Sequence, residues 1–124
     1  MDRLLVVDDD RTIRDLVTRY LATEDVEIDT ADNGADAIRC LRASQYQSIL
    51  LDLMMPGISG FGVLEYLKSE QPAMIERVIV MTSRTLGESG RICNIDFGRR
   101  VLAKPFTARE IRAKVLGVAK RFRS

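Results

Sequence analysis

Short apolar runs alternate with amphipathic segments along the whole chain. The apolar runs occupy residues 4–7, 26–30, 49–52, 78–81 and 101–103. Runs of this length, bounded by turn residues, are typical of strands in a parallel sheet that is covered on both faces. The segments between them repeat apolar residues at offsets of three and four, as helices that cover such a sheet do. The pattern predicts an α/β fold, with a doubly wound five-stranded parallel sheet and helices on both faces.

Local signals place the ends of several predicted helices. Asp10 is the expected N-cap of a first helix that begins at Arg11, and Thr107 with Glu110 predicts a capping box for the last helix. Residues 86–98 hold three glycines. Because each glycine inside a helix costs about 1 kcal/mol relative to alanine, we expect the fourth helix in this segment to be short or mobile.

Composition bounds the class of protein. The 124 residues are 46% hydrophobic and 30% charged, which is typical of one compact globular domain. No apolar run approaches the roughly 18 residues of a membrane span, and the N-terminus does not resemble a signal peptide. We therefore expect a cytoplasmic protein without membrane contact. Since the last helix is predicted to end near Ser124, we expect residues 1–124 to form a single domain with no output domain attached.

The net charge of +1 conceals an uneven distribution. Residues 1–76 contain 7 Lys/Arg and 15 Asp/Glu, whereas residues 77–124 contain 12 Lys/Arg and 3 Asp/Glu. This distribution predicts a surface with an acidic side and a basic side. Cations of the predicted fifth strand and last helix make up most of the basic side: Arg99, Arg100, Arg109, Arg112, Lys114, Lys120, Arg121 and Arg123. Such a side is usually only solvated surface.

Polar residues follow four of the predicted strands at the point where each strand ends. These residues are Asp8, Asp9, Asp52, Thr82 and Lys104. The carboxyl ends of parallel strands meet at one edge of a sheet, where ligands collect. Two carboxylates about 4 Å apart repel by about 4 kcal/mol at an effective dielectric near 20, so three of them favour a bound cation. Oxygen ligands select a hard ion such as Mg²⁺. With a lysine and a hydroxyl beside it, Asp52 is suited to accept a phosphoryl group.

The motifs at these positions resemble the receiver domain of two-component response regulators over essentially the whole chain. They are VVDDD at 6–10, ADNGADAI at 31–38, ILLDLMMPGISG at 49–60, VIVMTS at 78–83 and KPF at 104–106. The resemblance implies a chemotaxis-regulator-like fold with strand order 2-1-3-4-5. It also implies a phosphoacceptor signalling domain, charged by a sensor histidine kinase or a phosphotransfer protein, that catalyses only its own phosphorylation and dephosphorylation.

The resemblance assigns roles residue by residue. Asp52 would be the phosphoacceptor, Asp9 a direct metal ligand and Asp8 an acidic partner acting through water. Met54 would bind the metal through its backbone carbonyl, and Asp52 would also be a ligand. Thr82 and Lys104 would bind the phosphoryl oxygens, and the Lys104–Pro105 peptide would be cis.

An alternative enzyme class also fits part of the sequence. Residues 5–12 match the pattern of haloacid-dehalogenase-like phosphatases, with Asp8 as nucleophile and Asp10 as acid/base. That family needs a further acidic pair after its lysine, but the only acid beyond Lys104 is Glu110. The alternative also leaves Asp52 without a role, and we favour the receiver.

Output to a partner is where the sequence departs from the receiver pattern. Val101 stands where receivers usually have the aromatic ring that reports phosphorylation. We expect a downstream protein to bind the fourth helix, fifth strand and last helix, with an acidic surface facing the basic side. Nucleic acid is a less expected ligand, since a recognition helix motif is missing. A cyclic dinucleotide held by paired arginines stays a further alternative.

Overall fold

The computed structural model describes residues 1–22, 25–55, 57–82 and 91–122. Seven strands lie in this part of the chain: β1 (Asp2–Val7), β2 (Val26–Ala31), β3 (Ser48–Asp52), β4 (Val78–Thr82), β5 (Arg91–Ile92), β6 (Ile95–Asp96) and β7 (Val101–Ala103). The helices are α1 (Arg11–Leu21), α2 (Gly34–Ala43), α3 (Gly60–Glu70) and α4 (Ala108–Arg121), with a 3-10 helix at Pro72–Arg77. Within the described residues, no helix has the length and apolar character needed to cross a bilayer.

Five of the strands form one parallel sheet in the order β2-β1-β3-β4-β7. Since β7 is the fifth strand of this sheet, the predicted doubly wound order is confirmed. β2 lies at one edge, as its alternation of apolar and acidic residues suggests. The order reverses between β1 and β3, and such a reversal opens a crevice at the carboxyl ends of the central strands.

Alternate residues of the central strands enter two separate cores. Leu5 and Val7 of β1 pack with the apolar residues of α2 and α3, whereas Leu4 and Val6 pack with those of α1 and α4. All five residues of β3 are buried, and so are all five of β4. The carboxylate of Asp52 therefore ends a strand that is fixed on both faces.

The predicted caps of the first and last helices are confirmed. Asp10 accepts a hydrogen bond from the backbone N–H of Thr12, 2.9 Å away, at the start of α1. Thr107 and Glu110 form the reciprocal capping box of α4, with both hydrogen bonds at 3.1 Å. The Lys104–Pro105 peptide is cis, as expected.

The prediction of a helix over residues 86–98 is wrong for residues 91–98. Strands β5 and β6 form an antiparallel hairpin there, whose turn residues Cys93 and Asn94 have φ of 53° and 63°. Positive φ at both central positions matches the twist of a two-residue hairpin and is incompatible with a helix. The side chain of Asp96 then accepts a hydrogen bond from the N–H of Gly98 at 2.9 Å. The rest of the predicted helix, residues 86–90, lies outside the described residues.

Candidate functional site

The parallel sheet brings the predicted site residues to one edge. Asp8 and Asp9 directly follow β1, Asp52 and Thr82 end β3 and β4, and Lys104 directly follows β7. Carboxylate oxygens of Asp8, Asp9 and Asp52 lie within 4.8 Å of one another. Thr82 is buried beside this group, and its carbonyl accepts a hydrogen bond from the N–H of Lys104 at 2.8 Å.

Asp8 is fully buried, and each of its polar atoms has a partner. Its backbone N–H donates to the carbonyl of Ala31 at 3.1 Å. Its carboxylate accepts from the N–H of Asp10 at 2.9 Å and from the ammonium of Lys104 at 2.7 Å. The guanidinium of Arg14 donates to its carbonyl oxygen at 2.8 Å. Asp8 is therefore held in place by partners from four different segments.

Asp52 is buried, and this raises its pKa to about 6. Loss of hydration is the largest cause, and the nearby charge of Asp8 adds to it. The N–H of Met54, which donates to Asp52 Oδ1 at 3.1 Å, and the ammonium of Lys104 act in the opposite direction. The crowding of two carboxylates in a poorly hydrated site is what a bound cation would relieve.

Lys104 is the cation that the structure supplies. Its Nζ lies 2.7 Å from Asp8 Oδ2 and 3.6 Å from Asp52 Oδ2. Burial by itself lowers the pKa of Lys104, but the hydrogen bond to Asp8 and the charges of Asp8 and Asp52 outweigh it and raise the pKa above its ordinary value. The ammonium is thus charged at neutral pH and faces the acidic group directly.

Glycine allows the loop after β3 to pack closely against the backbone of Asp52. The backbone of Gly60 approaches so closely that a Cβ there would collide with the carbonyl oxygen of Asp52 and with the backbone of Leu53. Gly57 has φ of 73°, a left-handed conformation that favours glycine in the same loop. Met54 is 68% exposed, and its backbone N–H donates to the carboxylate of Asp52.

The donor set suits a hard divalent cation. All three candidate side-chain ligands are carboxylates, and Asp9 is exposed, which leaves room for water on the metal. Mg²⁺ prefers carboxylate oxygens and keeps several of its waters. The residues present therefore fit Mg²⁺.

Three arginines take positions that the sequence pattern did not predict. Arg14 contacts the site from one helical turn beyond Asp10, the N-cap of α1, and this spacing was the only available signal. Arg100, which we grouped with the binding cations, donates instead to the carbonyls of Ile75 and Val78 at 2.8 and 2.7 Å. Arg112 likewise donates to the carbonyl of Tyr20 at 2.9 Å. Arg123 lies outside the described residues.

Comparison with known proteins gives consistent results. Residues 4–116 match the model of the response regulator receiver domain. The transcriptional regulatory protein ResD of Bacillus subtilis is 36% identical over 120 residues, which are 96% of this chain and 48% of ResD. The CpxR homolog of Haemophilus influenzae is 33% identical over 98% of this chain and 52% of its own length. The chain thus spans about half the length of these relatives.

Solved structures agree with the sequence matches. The response regulator TrrA of Thermotoga maritima, in complex with Mg²⁺-BeF, is 31% identical with a TM-score of 0.77, covering 95% of this chain and 99% of its own. The chemotaxis protein CheY4 of Vibrio cholerae is 25% identical with a TM-score of 0.82, covering 95% and 98%.

Proposed function

Because the chain belongs to the response regulator receiver domain family of two-component systems, we propose that Asp52 is the residue that takes up its phosphoryl group. One observation carries the proposal. The Asp52 carboxylate ends a fully buried strand, within 4.8 Å of two other carboxylates and 3.6 Å from the Lys104 ammonium. That arrangement suits a nucleophile whose reaction gathers negative charge beside a metal and a lysine.

The reaction is a phosphoryl transfer between two proteins. A carboxylate oxygen of Asp52 attacks the phosphorus of a phosphohistidine on a sensor histidine kinase or a phosphotransfer protein. The new O–P bond forms as the N–P bond breaks. The electron pair of the N–P bond stays on the imidazole, which takes a proton from solvent. Attack of water on the phosphorus later releases phosphate and restores the carboxylate.

Each neighbouring residue has a proposed role in this transfer. Asp9 would hold Mg²⁺ directly together with Asp52 and the carbonyl of Met54, and Asp8 would hold it through water. When bound, Mg²⁺ would neutralise charge on the transferring phosphoryl oxygens. The Lys104 ammonium and the Thr82 hydroxyl would donate hydrogen bonds to those oxygens. Autocatalysis is limited to this phosphorylation and to the later hydrolysis of the aspartyl phosphate.

The phosphatase alternative is not favoured. Its acid/base residue, Asp10, uses its carboxylate to cap α1. Its nucleophile, Asp8, is fully buried and bonded to Lys104. Both carboxylates therefore already have structural roles, and this alternative would give Asp52 no role in the chemistry.

Labelling with acetyl phosphate tests the proposal. With Mg²⁺ present, the native protein should gain one phosphate in intact-mass spectra, and Asp52→Asn should gain none. Asp10→Asn is the matched control, because asparagine also caps a helix well and the change lies outside the proposed acceptor. The control should be labelled like the native protein. Equal labelling of native protein and Asp52→Asn would contradict the proposal.

The exposed cations just before β7 and within α4 are our proposed surface for a downstream protein. Arg99, Arg109 and Lys120 are exposed, whereas Arg100 and Arg112 are engaged by backbone carbonyls. An acidic partner surface fits the exposed set. The expectation that nucleic acid is a less favoured partner finds no support in the relatives, since ResD and the CpxR homolog are both named transcriptional regulatory proteins.

We also propose that residues 1–124 form one receiver domain that acts in the cytoplasm, where its kinase would present phosphohistidine.

A further inference from the structure

Arg14 contacts the backbone of the acidic group, and it pairs with no acid among the described residues. Its guanidinium donates to the carbonyl oxygen of Asp8 at 2.8 Å, across the turn between β1 and α1. In the part of the chain that the structure describes, this guanidinium forms no ion pair, although three carboxylates meet at the adjoining site. An arginine that bonds to a carbonyl beside three acids holds backbone and does not neutralise a side chain.

The carbonyl that Arg14 holds belongs to the peptide joining Asp8 to Asp9. Asp8 is fixed on its other sides by Lys104, by the N–H of Asp10 and by Ala31. Asp9 is exposed, and among the described residues its carboxylate has neither a hydrogen bond nor an ion pair. The N–H of Asp10, which donates to the carboxylate of Asp8, holds the peptide on the other side of Asp9. The direction of the Asp9 side chain therefore depends on the two peptides that flank it, and Arg14 holds the first of them.

We propose that Arg14 is a positioning residue for the metal site, which fixes the Asp8–Asp9 peptide so that the Asp9 carboxylate points toward Asp8 and Asp52. The inference rests on the proposed Mg²⁺ site. Partners that orient metal ligands commonly change metal affinity by about 10- to 100-fold when they are removed.

If Arg14 acted only through its charge, its removal would change Mg²⁺ affinity in the opposite direction to that expected for a positioning residue. As a nearby positive charge, Arg14 repels Mg²⁺, so its loss would tighten Mg²⁺ binding if charge were its only effect. As a positioning residue, it lowers the cost of ordering Asp9, so its loss weakens binding. The direction of the change in the dissociation constant separates the two roles.

Calorimetric titration with Mg²⁺ of the native protein, Arg14→Met, Arg14→Lys and Arg11→Met is the test. Arg14→Met should weaken Mg²⁺ binding about tenfold. Arg14→Lys keeps the charge and a donor, and should recover part of the loss. Arg11→Met is the matched control, since it removes a charge from the same helix at a side chain that is 85% exposed and pairs with Asp15. It should bind within about twofold of native.

Thermal melting without Mg²⁺ accompanies the titrations. A purely structural role would lower the melting temperature of Arg14→Met and leave Mg²⁺ affinity unchanged. Unchanged or tighter Mg²⁺ binding by Arg14→Met would overturn this inference and leave the proposed metal site standing. If Arg14→Met does not fold, the Mg²⁺ affinity of Arg14→Lys is compared with that of the native protein instead. The Arg14→Lys protein should bind Mg²⁺ more weakly, because lysine offers a single donor group on a shorter side chain. Equal affinity would overturn the inference. Failure of the native protein to bind Mg²⁺ would overturn the metal site and the inference together.

Discussion

The ammonium of Lys104 lies 2.7 Å from a carboxylate oxygen of Asp8 and 3.6 Å from one of Asp52. The shorter of these contacts is made to Asp8 and not to the proposed phosphoacceptor. In the proposed mechanism Lys104 would have two roles: its ammonium balances the acidic group, and it would bind a phosphoryl oxygen once Mg²⁺ neutralises the carboxylates.

Replacing Lys104 with methionine should separate these two roles. Mg²⁺ binding should be retained or become tighter, because a competing cation is removed. The spectral changes that beryllofluoride, a phosphoryl analogue, induces in the native protein should be largely lost. Amide NMR spectra with Mg²⁺ alone and with Mg²⁺ plus beryllofluoride measure both effects. Analogue-induced shifts as large as those of the native protein would show that Lys104 does not relay the phosphoryl group.

The raised pKa of Asp52 predicts that Mg²⁺ binding depends on pH near 6. Below about pH 6 the carboxyl is protonated, and a proton must leave before the metal binds. The native protein should therefore bind Mg²⁺ about tenfold more weakly one pH unit below this pKa than well above it. Calorimetric titrations at pH 5 and pH 7.5 measure the difference. Asp52→Asn should show a smaller change between the two pH values, and an equal change would assign the titration to another group.

The same shift fixes the sign of a stability effect in the metal-free protein. Because the folded pKa, about 6, exceeds the ordinary value of 3.8, the native state binds this proton more tightly than the unfolded chain. The resulting stabilisation is present at low pH and is lost as pH rises through 6. Asp52→Asn should therefore unfold at a higher denaturant concentration than native protein at pH 7.5 without Mg²⁺. A lower midpoint would contradict the assigned shift.

Gly60 and Gly117 provide a matched pair of glycine to alanine changes. A Cβ at Gly60 would collide with the backbone of Asp52, so Gly60→Ala should lower the free energy of unfolding by about 2 kcal/mol or more and reduce labelling of Asp52. Gly117 is exposed within α4 and has open space around it, so Gly117→Ala should raise the free energy of unfolding by up to about 1 kcal/mol. Urea titrations of both variants measure the contrast. Equal changes in the free energy of unfolding would show that the close packing of Gly60 against Asp52 is not needed for stability.

The convergence of the site residues could be predicted from the sequence because it depends on short-range rules. A buried run followed by Asp8 or Asp52 gives a strand end, and parallel strands deliver their ends to one edge. The partners of Arg100 could not be predicted, since the carbonyls of Ile75 and Val78 come together with it only after β4 and β7 pair. No periodicity in the sequence distinguishes an arginine that binds carbonyls from one that faces solvent.

The hairpin was missed for a local reason. Three glycines in residues 86–98 indicated a weak helix, but the turn itself is made by Cys93 and Asn94. Asparagine tolerates positive φ, whereas cysteine at the first turn position is not a usual hairpin signal. Packing supplies the rest: Ile92 and Phe97 are buried against the α2 and α3 side of the sheet, and Lys68 of α3 donates to the carbonyl of Cys93 at 3.0 Å.

We expect the hairpin to report the state of the site, since Val101 has no ring that could turn inward. The carbonyl of Thr82 accepts from Lys104, and two residues earlier in β4 the N–H of Val80 donates to the carbonyl of Arg100 at 3.0 Å. The guanidinium of Arg100 in turn donates to the carbonyl of Val78, inside β4, and stacks over Phe97 at the end of the hairpin. Movement of Thr82 or Lys104 toward a phosphoryl group would therefore change the support of residues 91–98.

Hydrogen exchange measures this relay. Binding of beryllofluoride with Mg²⁺ should slow amide exchange in residues 91–98 more than in α2, which lies on the same face of the sheet but has no contact with Arg100 among those the structure describes. Lys104→Met should abolish the difference, because the ammonium that would bind the phosphoryl group is removed while the backbone N–H bond of residue 104 to Thr82 is kept. Equal slowing of exchange in α2 and in residues 91–98 would indicate general stabilisation by the ligand. It would rule out the hairpin as the element that responds specifically to phosphorylation.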